Sequence, residues 1–247
     1  MVNADAYDRG FARLSRHTVA PLLARSRSAR RLLDVGCGSG VVTEAALALG
    51  AVVTAVDADP AMVELTARRF PGAAVRRATL PELPFDDGEF DAVAGNFLIN
   101  HVPDTAASLR ELRRVLRPGG TLALSWWAAG EMTATAVLSD AMEAAGLASE
   151  APPRPFAADA DPERFAALLA AAGFAGVEVE SVRWRHRVDL DAWWTEVVGA
   201  GGARFGTIGR QPPEVAGQVR AHYERLAAPY ARDGFPVRAH IAHARRP

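Results

Sequence analysis

The 247-residue sequence predicts a doubly wound α/β protein: a seven-stranded, mainly parallel sheet with helices added after the fifth strand. Three observations carry that expectation. Strand-like and helix-like segments alternate five times within about the first 125 residues, the pattern of consecutive strand–helix units. The stretch Ala51–Val56 is apolar except at Thr54, as a strand covered on both faces must be. The strand before it runs straight into Gly36, Gly38 and Gly40, a sharp turn at a strand's carboxyl end.

The elements follow in order. Residues 5–25 read as an N-terminal helix with Phe11, Leu14, Val19, Leu22 and Leu23 on one stripe. Residues 31–35 form the first strand, and 41–49 a helix stopped by Gly50. After the second strand, Asp59 and Pro60 open a helix, because Asp accepts from free amides and Pro fits the first turn. Residues 74–78 and 90–95 are the third and fourth strands. Asp104 caps a helix whose Leu109, Leu112, Val115 and Leu116 share a face. Arg117-Pro118-Gly119-Gly120 ends it, before the fifth strand at 121–125.

Beyond Trp127 the alternation loosens. A helix is expected over 131–146, a proline-rich surface connection over 151–160, and a helix from Asp161 to near Gly173. Residues 177–188 form a strand whose apolar alternation changes phase between Val179 and Val182, the mark of a bulge or bend. Five glycines between Gly199 and Gly209 predict a mobile loop; a helix through 219–226 and a strand at 235–244 follow. The expected organisation is one domain over 1–247, with an N-terminal helical cap at 1–28. Helical insertions at 128–160 and 189–230 would build a substrate pocket.

Composition narrows the function. Hydrophobic residues make up 49% and charged residues 23%, which suits a globular chain with a sizeable core. The formal net charge is −1 with no basic run, which argues against nucleic acid as partner. All 28 basic residues are arginine, which excludes a lysine Schiff base or lysine general base. Cys37 is the single cysteine, so no internal disulfide forms and a reducing, cytoplasmic setting is expected. The first residues lack the apolar core of a signal peptide, and arginines and acids interrupt every apolar run, so no membrane span is expected. No metal site is assigned. A small-molecule substrate is expected, for a monomer or a homodimer.

The chemistry lies in the first half. Asp34-Val35-Gly36-Cys37-Gly38-Ser39-Gly40 joins a strand to a helix, and Asp57 ends the second strand, where a carboxylate can accept both hydroxyls of a ribose. A dinucleotide fingerprint needs glycines at the first, third and sixth positions. From Gly36 the sixth position is Val41, and from Gly38 it is Thr43, so that spacing fails. A dinucleotide also needs its pyrophosphate at a helix N-terminus, whereas an acid at the first strand's exit suits a ligand with a zwitterionic end.

The run from Asp34 to Gly40 resembles motif I of the class I S-adenosylmethionine (SAM)-dependent methyltransferases, especially the small-molecule group related to ubiquinone/menaquinone-biosynthesis methyltransferases. Four later segments resemble that family in order and spacing: Val56–Met62, Leu80–Asp91, Asn96–Val102 and Leu109–Leu122. The resemblance covers about Tyr7 to Trp127. It implies SAM as cofactor, with S-adenosylhomocysteine as product. The implied cofactor residues are Tyr7, Asp34, Gly36, Cys37, Gly38, Asp57, Ala58, Met62, Thr79, Leu80, Asn96 and Phe97. Asp57 would hold the ribose and Met62 lie by the adenine. Thr79 departs from the family, which usually has an acid there, so the bond to the adenine amino group would lack charge assistance.

For the chemistry, His101 is the candidate general base, since it follows the fourth strand and its pKa suits neutral proton transfer; the alternative is that it only stabilises the loop near Asp104. Tyr7 and His17 either close over the cofactor or belong to an ordinary amphipathic helix. His186 is expected to be structural, and Cys37 to be a small residue chosen for space. Ser125 lies on the same rim as Asp34, Asp57, Thr79 and Asn96. Trp126, Trp127, Trp193 and Trp194 either wall an apolar pocket or pack the core, and the loop around Arg204 and Phe205 is either a lid or a plain connection. Transfer of a methyl group to a small acceptor is the leading function. A SAM-binding protein with other chemistry, such as cyclisation, is the alternative, ahead of a non-catalytic module or an RNA methyltransferase.

Overall fold

The computed structural model of the chain describes residues 3–149 and 155–247. The described residues form a seven-stranded sheet, mostly parallel. Its strands are β1 Arg31–Val35, β2 Val52–Asp57, β3 Ala74–Arg77, β4 Phe90–Asn96, β5 Leu116–Met132, β6 Ala175–His186 and β7 Phe235–Arg245, in the order β3-β2-β1-β4-β5-β7-β6. The pairs β1·β2, β1·β4, β2·β3 and β4·β5 are parallel. Strand order reverses at β1, so the crevice opens at the carboxyl ends of β1 and β4. β7 runs against β5: Arg246, just past its end, exchanges backbone bonds of 2.8 and 3.0 Å with Gly119 and Gly120.

The helices are α1 Val41–Ala48, α2 Pro60–Arg69, α3 Thr105–Val115, α4 Thr133–Ala144, α5 Pro162–Ala171, α6 Leu190–Gly199 and α7 Pro213–Ala227, preceded by a helical stretch over 4–22. Their starts follow the caps legible in the sequence. Asp59 accepts from the Ala61 amide at 2.9 Å, Asp104 from that of Ala107 at 2.9 Å, and Asp161 from those of Glu163 and Arg164. Each carboxylate thereby satisfies amides that the first turn leaves open.

The chain divides into two compact units. One gathers the described residues within 15–129, 154–182 and 239–247. Its core joins Leu33 and Val93 of the sheet to Leu109, Leu112 and Val115 of α3, all fully buried. Trp126 fills the far part: its ring meets Phe165 edge-on at 4.6 Å, and its indole N–H donates to the Ala160 carbonyl at 2.8 Å. That bond lets a large ring be buried without orphaning its polar atom. The other unit holds the described residues within 1–14, 130–153 and 183–238. There Trp193 donates to Ala134 O at 2.8 Å, and Tyr223 donates to Leu190 O at 2.8 Å.

Several local differences from the sequence expectation have physical reasons. The N-terminal helix is broken into α, π and 3-10 turns, the π turn spanning Asp8–Ala12 around Gly10, where a Cβ would come 3.1 Å from that of Glu196. β5 is longer than expected, running from Leu116 to Met132, and near its start Gly119 and Gly120 already bond the backbone of Arg246. The proline-rich connection, whose 151–154 lie outside the described residues, includes a 3-10 helix at Pro155–Asp159. Phe156 within it is buried against Trp126 and Phe165. The glycine-rich segment folds into turns and a short helix at Gly206–Gly209, with Phe205 and Ile208 buried. In β6 the inward positions are 177 and 179, then 182, 184 and 186, so the phase changes at Ser181 as the sequence suggests.

Replacing Trp126 by Ala removes the fully buried ring and takes the indole donor from the partly buried Ala160 carbonyl. We expect a loss of about 3–5 kcal/mol in urea unfolding, with the unfolding slope unchanged.

Candidate functional site

The site is built on the carboxyl rim of the parallel strands. In-register pairing sets Asp34 beside Ala55 and Ala94, and Asn96 beside Ser125, so residues distant in sequence finish at one level. Past Val35 the chain turns at once: the amides of Gly36 and Cys37 both donate to the Val56 carbonyl, at 2.8 and 2.9 Å. Gly36, Gly38 and Gly40 have φ of 69°, 54° and 88°, the left-handed region that glycine enters without strain. A Cβ on Gly36 would lie 2.8 Å from Leu98 Cδ1, and one on Gly40 2.5 Å from the Phe70 ring. Backbone conformation and space therefore both require glycine at these two positions.

Two side chains clamp the turn. Asp57 accepts from the Gly38 amide at 2.8 Å and from the Asp59 amide at 2.9 Å, while Thr66 donates to the Gly38 carbonyl at 2.7 Å. Burial raises the Asp57 pKa against the pull of these amide bonds. Each Asp57 oxygen retains a lone pair for a further donor.

Asp34 is fully buried at the end of β1. Its Oδ2 accepts from the Thr43 hydroxyl at 2.6 Å, whereas Oδ1 has no hydrogen-bond partner. Burial outweighs the Thr43 bond and pushes the carboxyl up to about 7, with a further small push from Asp57. Burial also pushes the Cys37 thiol up, which favours the thiol over the thiolate.

A second hub lies where β4 and β5 end. Asn96 Oδ1 accepts from the hydroxyls of Thr18 (2.7 Å) and Ser125 (2.6 Å), and its Nδ2 donates to the Ser15 carbonyl at 3.2 Å. The Ser125 hydroxyl in turn accepts from the Phe97 amide at 2.9 Å. Phe97 has φ +59°, a conformation rare for a bulky side chain, and its ring stacks on Trp127 with centroids 3.6 Å apart.

The other sequence candidates fall as follows. Met62 and Leu80 are buried, Ala58 and Thr79 exposed. His101 ends the exposed side of a 3-10 turn, Ile99–His101, and His17 is exposed on the helical stretch. Tyr7 belongs to the helical unit, half-buried, its ring 5.7 Å from that of Phe11. Trp126, Trp193 and His186 are buried in packing, and Trp194 lies against Tyr223 and Arg220. Sequence reading missed Thr18, Thr43 and Thr66, which hold Asn96, Asp34 and Gly38. Each lies in a helical stretch, where a threonine carries no motif.

A doubly wound sheet whose first strand ends in a clamped glycine turn, with a carboxylate at the next strand's end, is a Rossmann-like fold. Residues 33–124 match the methyltransferase domain family. Over that stretch, rather more than a third of its length, the chain is similar to methyltransferase domains. A ubiquinone biosynthesis O-methyltransferase from Xanthomonas campestris is 41% identical over 100 residues, 38% of this chain and 42% of that protein. The chain thus matches less than half the length of this curated relative. Among solved structures, the YcgJ protein of Bacillus subtilis superposes with a TM-score of 0.57 at 20% identity, over 94% of this chain and 99% of that one. The [4+2]-cyclase SpnF gives 0.57 at 25% identity, over 94% and 80%. No described helix is long and apolar enough to cross a membrane.

Because folding raises the Asp34 pKa, the folded state binds the proton more tightly than the unfolded state. Stability is therefore highest below the ordinary value of 3.8, falls as pH rises toward about 7, and is flat above. Asp34→Asn mimics the neutral form, so its melting temperature relative to the parent should climb steadily between pH 4 and about 7 in pH-resolved thermal scans. A difference independent of pH would show that Asp34 is not titrating there.

Proposed function

We propose that the protein transfers a methyl group from SAM to a small-molecule acceptor, releasing S-adenosylhomocysteine. The observation that carries this reading is the buried Asp34 oxygen without a partner, beside a glycine turn clamped by Asp57. A buried acceptor left open is costly unless a ligand supplies the donor. The ammonium group of SAM's methionine end is such a donor, and the free lone pairs of Asp57 fit the ribose hydroxyls. Gly36 and Gly38 let the backbone approach the ligand, with Cys37 between them as a small residue. Met62 and Leu80 would flank the adenine, with Ala58 and the Thr79 hydroxyl at its edge and Asn96 and Phe97 on the β4 side. Tyr7 is a further candidate for the cofactor, on the resemblance alone. When bound, the cofactor supplies the electrophilic methyl; the protein's part is to orient the acceptor in line and exclude water.

For a hydroxyl acceptor, His101 would remove the proton as the oxygen attacks. The name of the Xanthomonas relative, an O-methyltransferase of ubiquinone biosynthesis, favours an oxygen acceptor. The insertions at 128–160 and 189–230 would bound the acceptor pocket. The setting proposed is cytoplasmic, without a nucleic-acid partner. Similarity to SpnF supports a second reading, in which the same bound cofactor accompanies a cyclisation.

Titration calorimetry with SAM tests the shared premise: the parent protein should bind, and Asp57→Ala should lose most of the affinity. Labelled SAM with a panel of phenolic acceptors separates the two readings, since tight binding with no transfer to any acceptor favours the second. His101→Asn should keep SAM affinity while slowing transfer by about 10²–10⁴. An unchanged rate would remove His101 as the base.

A further inference from the structure

Each sheet end leaves a row of backbone groups open, and the two ends differ. At one lies β3, four residues long. At the other lies β6, twelve residues long, and among the described residues no strand pairs with its outer side. An edge of that length, about 40 Å at the usual rise per residue, is a template for a further strand. Its exposed face is ordered by charge. Glu178 and Glu180 occupy the first half and Arg183 and Arg185 the second, all exposed. The phase change at Ser181 is what keeps the four on one face: without it, even- and odd-numbered positions would point to opposite sides.

We propose that β6 is a homotypic interface, at which the β6 strands of two copies pair antiparallel about a two-fold axis near Ser181 and Val182. Charge order selects both partner and direction. Antiparallel pairing of two copies brings Glu178 opposite Arg185 and Glu180 opposite Arg183, twice over. Parallel pairing in register would set like against like. An isologous contact of this kind closes on itself and consumes both open edges, so it ends at a dimer.

The chain's own contacts leave room for this. Arg25 holds Glu178 through both oxygens at 2.8 and 2.5 Å, and His243 lies 3.6 Å from Glu180. Both carboxylates remain more than half exposed, at 63% and 55%. Arg185 reaches the Gly234 carbonyl through one nitrogen at 3.3 Å, leaving the rest of its fork. The opposite role for the same charges is to guard a bare edge against any pairing.

Sedimentation velocity and light scattering of the full chain separate the two. The parent should run at twice 26.2 kDa and dissociate as salt rises. The double variant Arg183→Glu, Arg185→Glu should run as a monomer with the parent's circular dichroism and melting profile, and it leaves the Arg25–Glu178 bridge untouched. The reverse variant Glu178→Arg, Glu180→Arg should also be monomeric, and an equimolar mixture of the two should recover the dimer. A monomeric parent, a dimer that survives either reversal alone, or a mixture that stays monomeric would each overturn the proposal.

Discussion

The Asp57 carboxylate is the tie on which the carboxyl rim of the parallel strands depends. One oxygen takes the Gly38 amide and the other the Asp59 amide, so a single side chain fixes the turn leaving β1 and the approach to α2. Asp59 is then placed to cap α2, and Thr66 on that helix returns a bond to the Gly38 carbonyl. The loop is thus closed from both sides by bonds that are individually modest, about 1 kcal/mol each for neutral pairs and more where a carboxylate accepts. Their joint effect is to hold a glycine turn rigid although its sequence favours many conformations. A rigid turn lowers the ordering cost when a ligand binds.

The second tie is at Asn96. Its oxygen takes two hydroxyls, and Ser125 carries the network on to the Phe97 amide. A phenylalanine in the left-handed region costs of order 1–3 kcal/mol, and such a conformation persists only where its surroundings leave no alternative. Here the amide bond to Ser125 and the stack on Trp127 supply that constraint. The rim thus combines a glycine turn, where positive φ is free, with a phenylalanine turn, where it is costly.

Most of this frame could be read from the residues. Aspartates at 59, 104 and 161 announced helix starts because capping is local, and the apolar run Ala51–Val56 announced a strand of the parallel sheet. The glycines and Asp57 were legible because backbone geometry admits few residue types there. What escaped was set by tertiary contact. Thr43 and Thr66 act through single hydroxyls whose partners lie 9 and 28 residues away. Phe156 sat in a proline-rich stretch that reads as surface, yet the cluster around Trp126 draws it inward. The glycines from 199 to 209 read as a mobile loop, but Gly206 lets two stretches of backbone touch, since a Cβ there would lie 2.6 Å from the Gly201 carbonyl carbon.

The stacked pair at the rim also bears on how such a chain can change over generations. Glycine at 97 would relieve the backbone but remove the ring stacked on Trp127, whereas a smaller residue at 127 would take from Phe97 one of the two contacts that hold its turn. Neither single step improves the pair, so positions 97 and 127 should drift together or not at all. The two form one heritable unit, although 30 residues separate them in the chain.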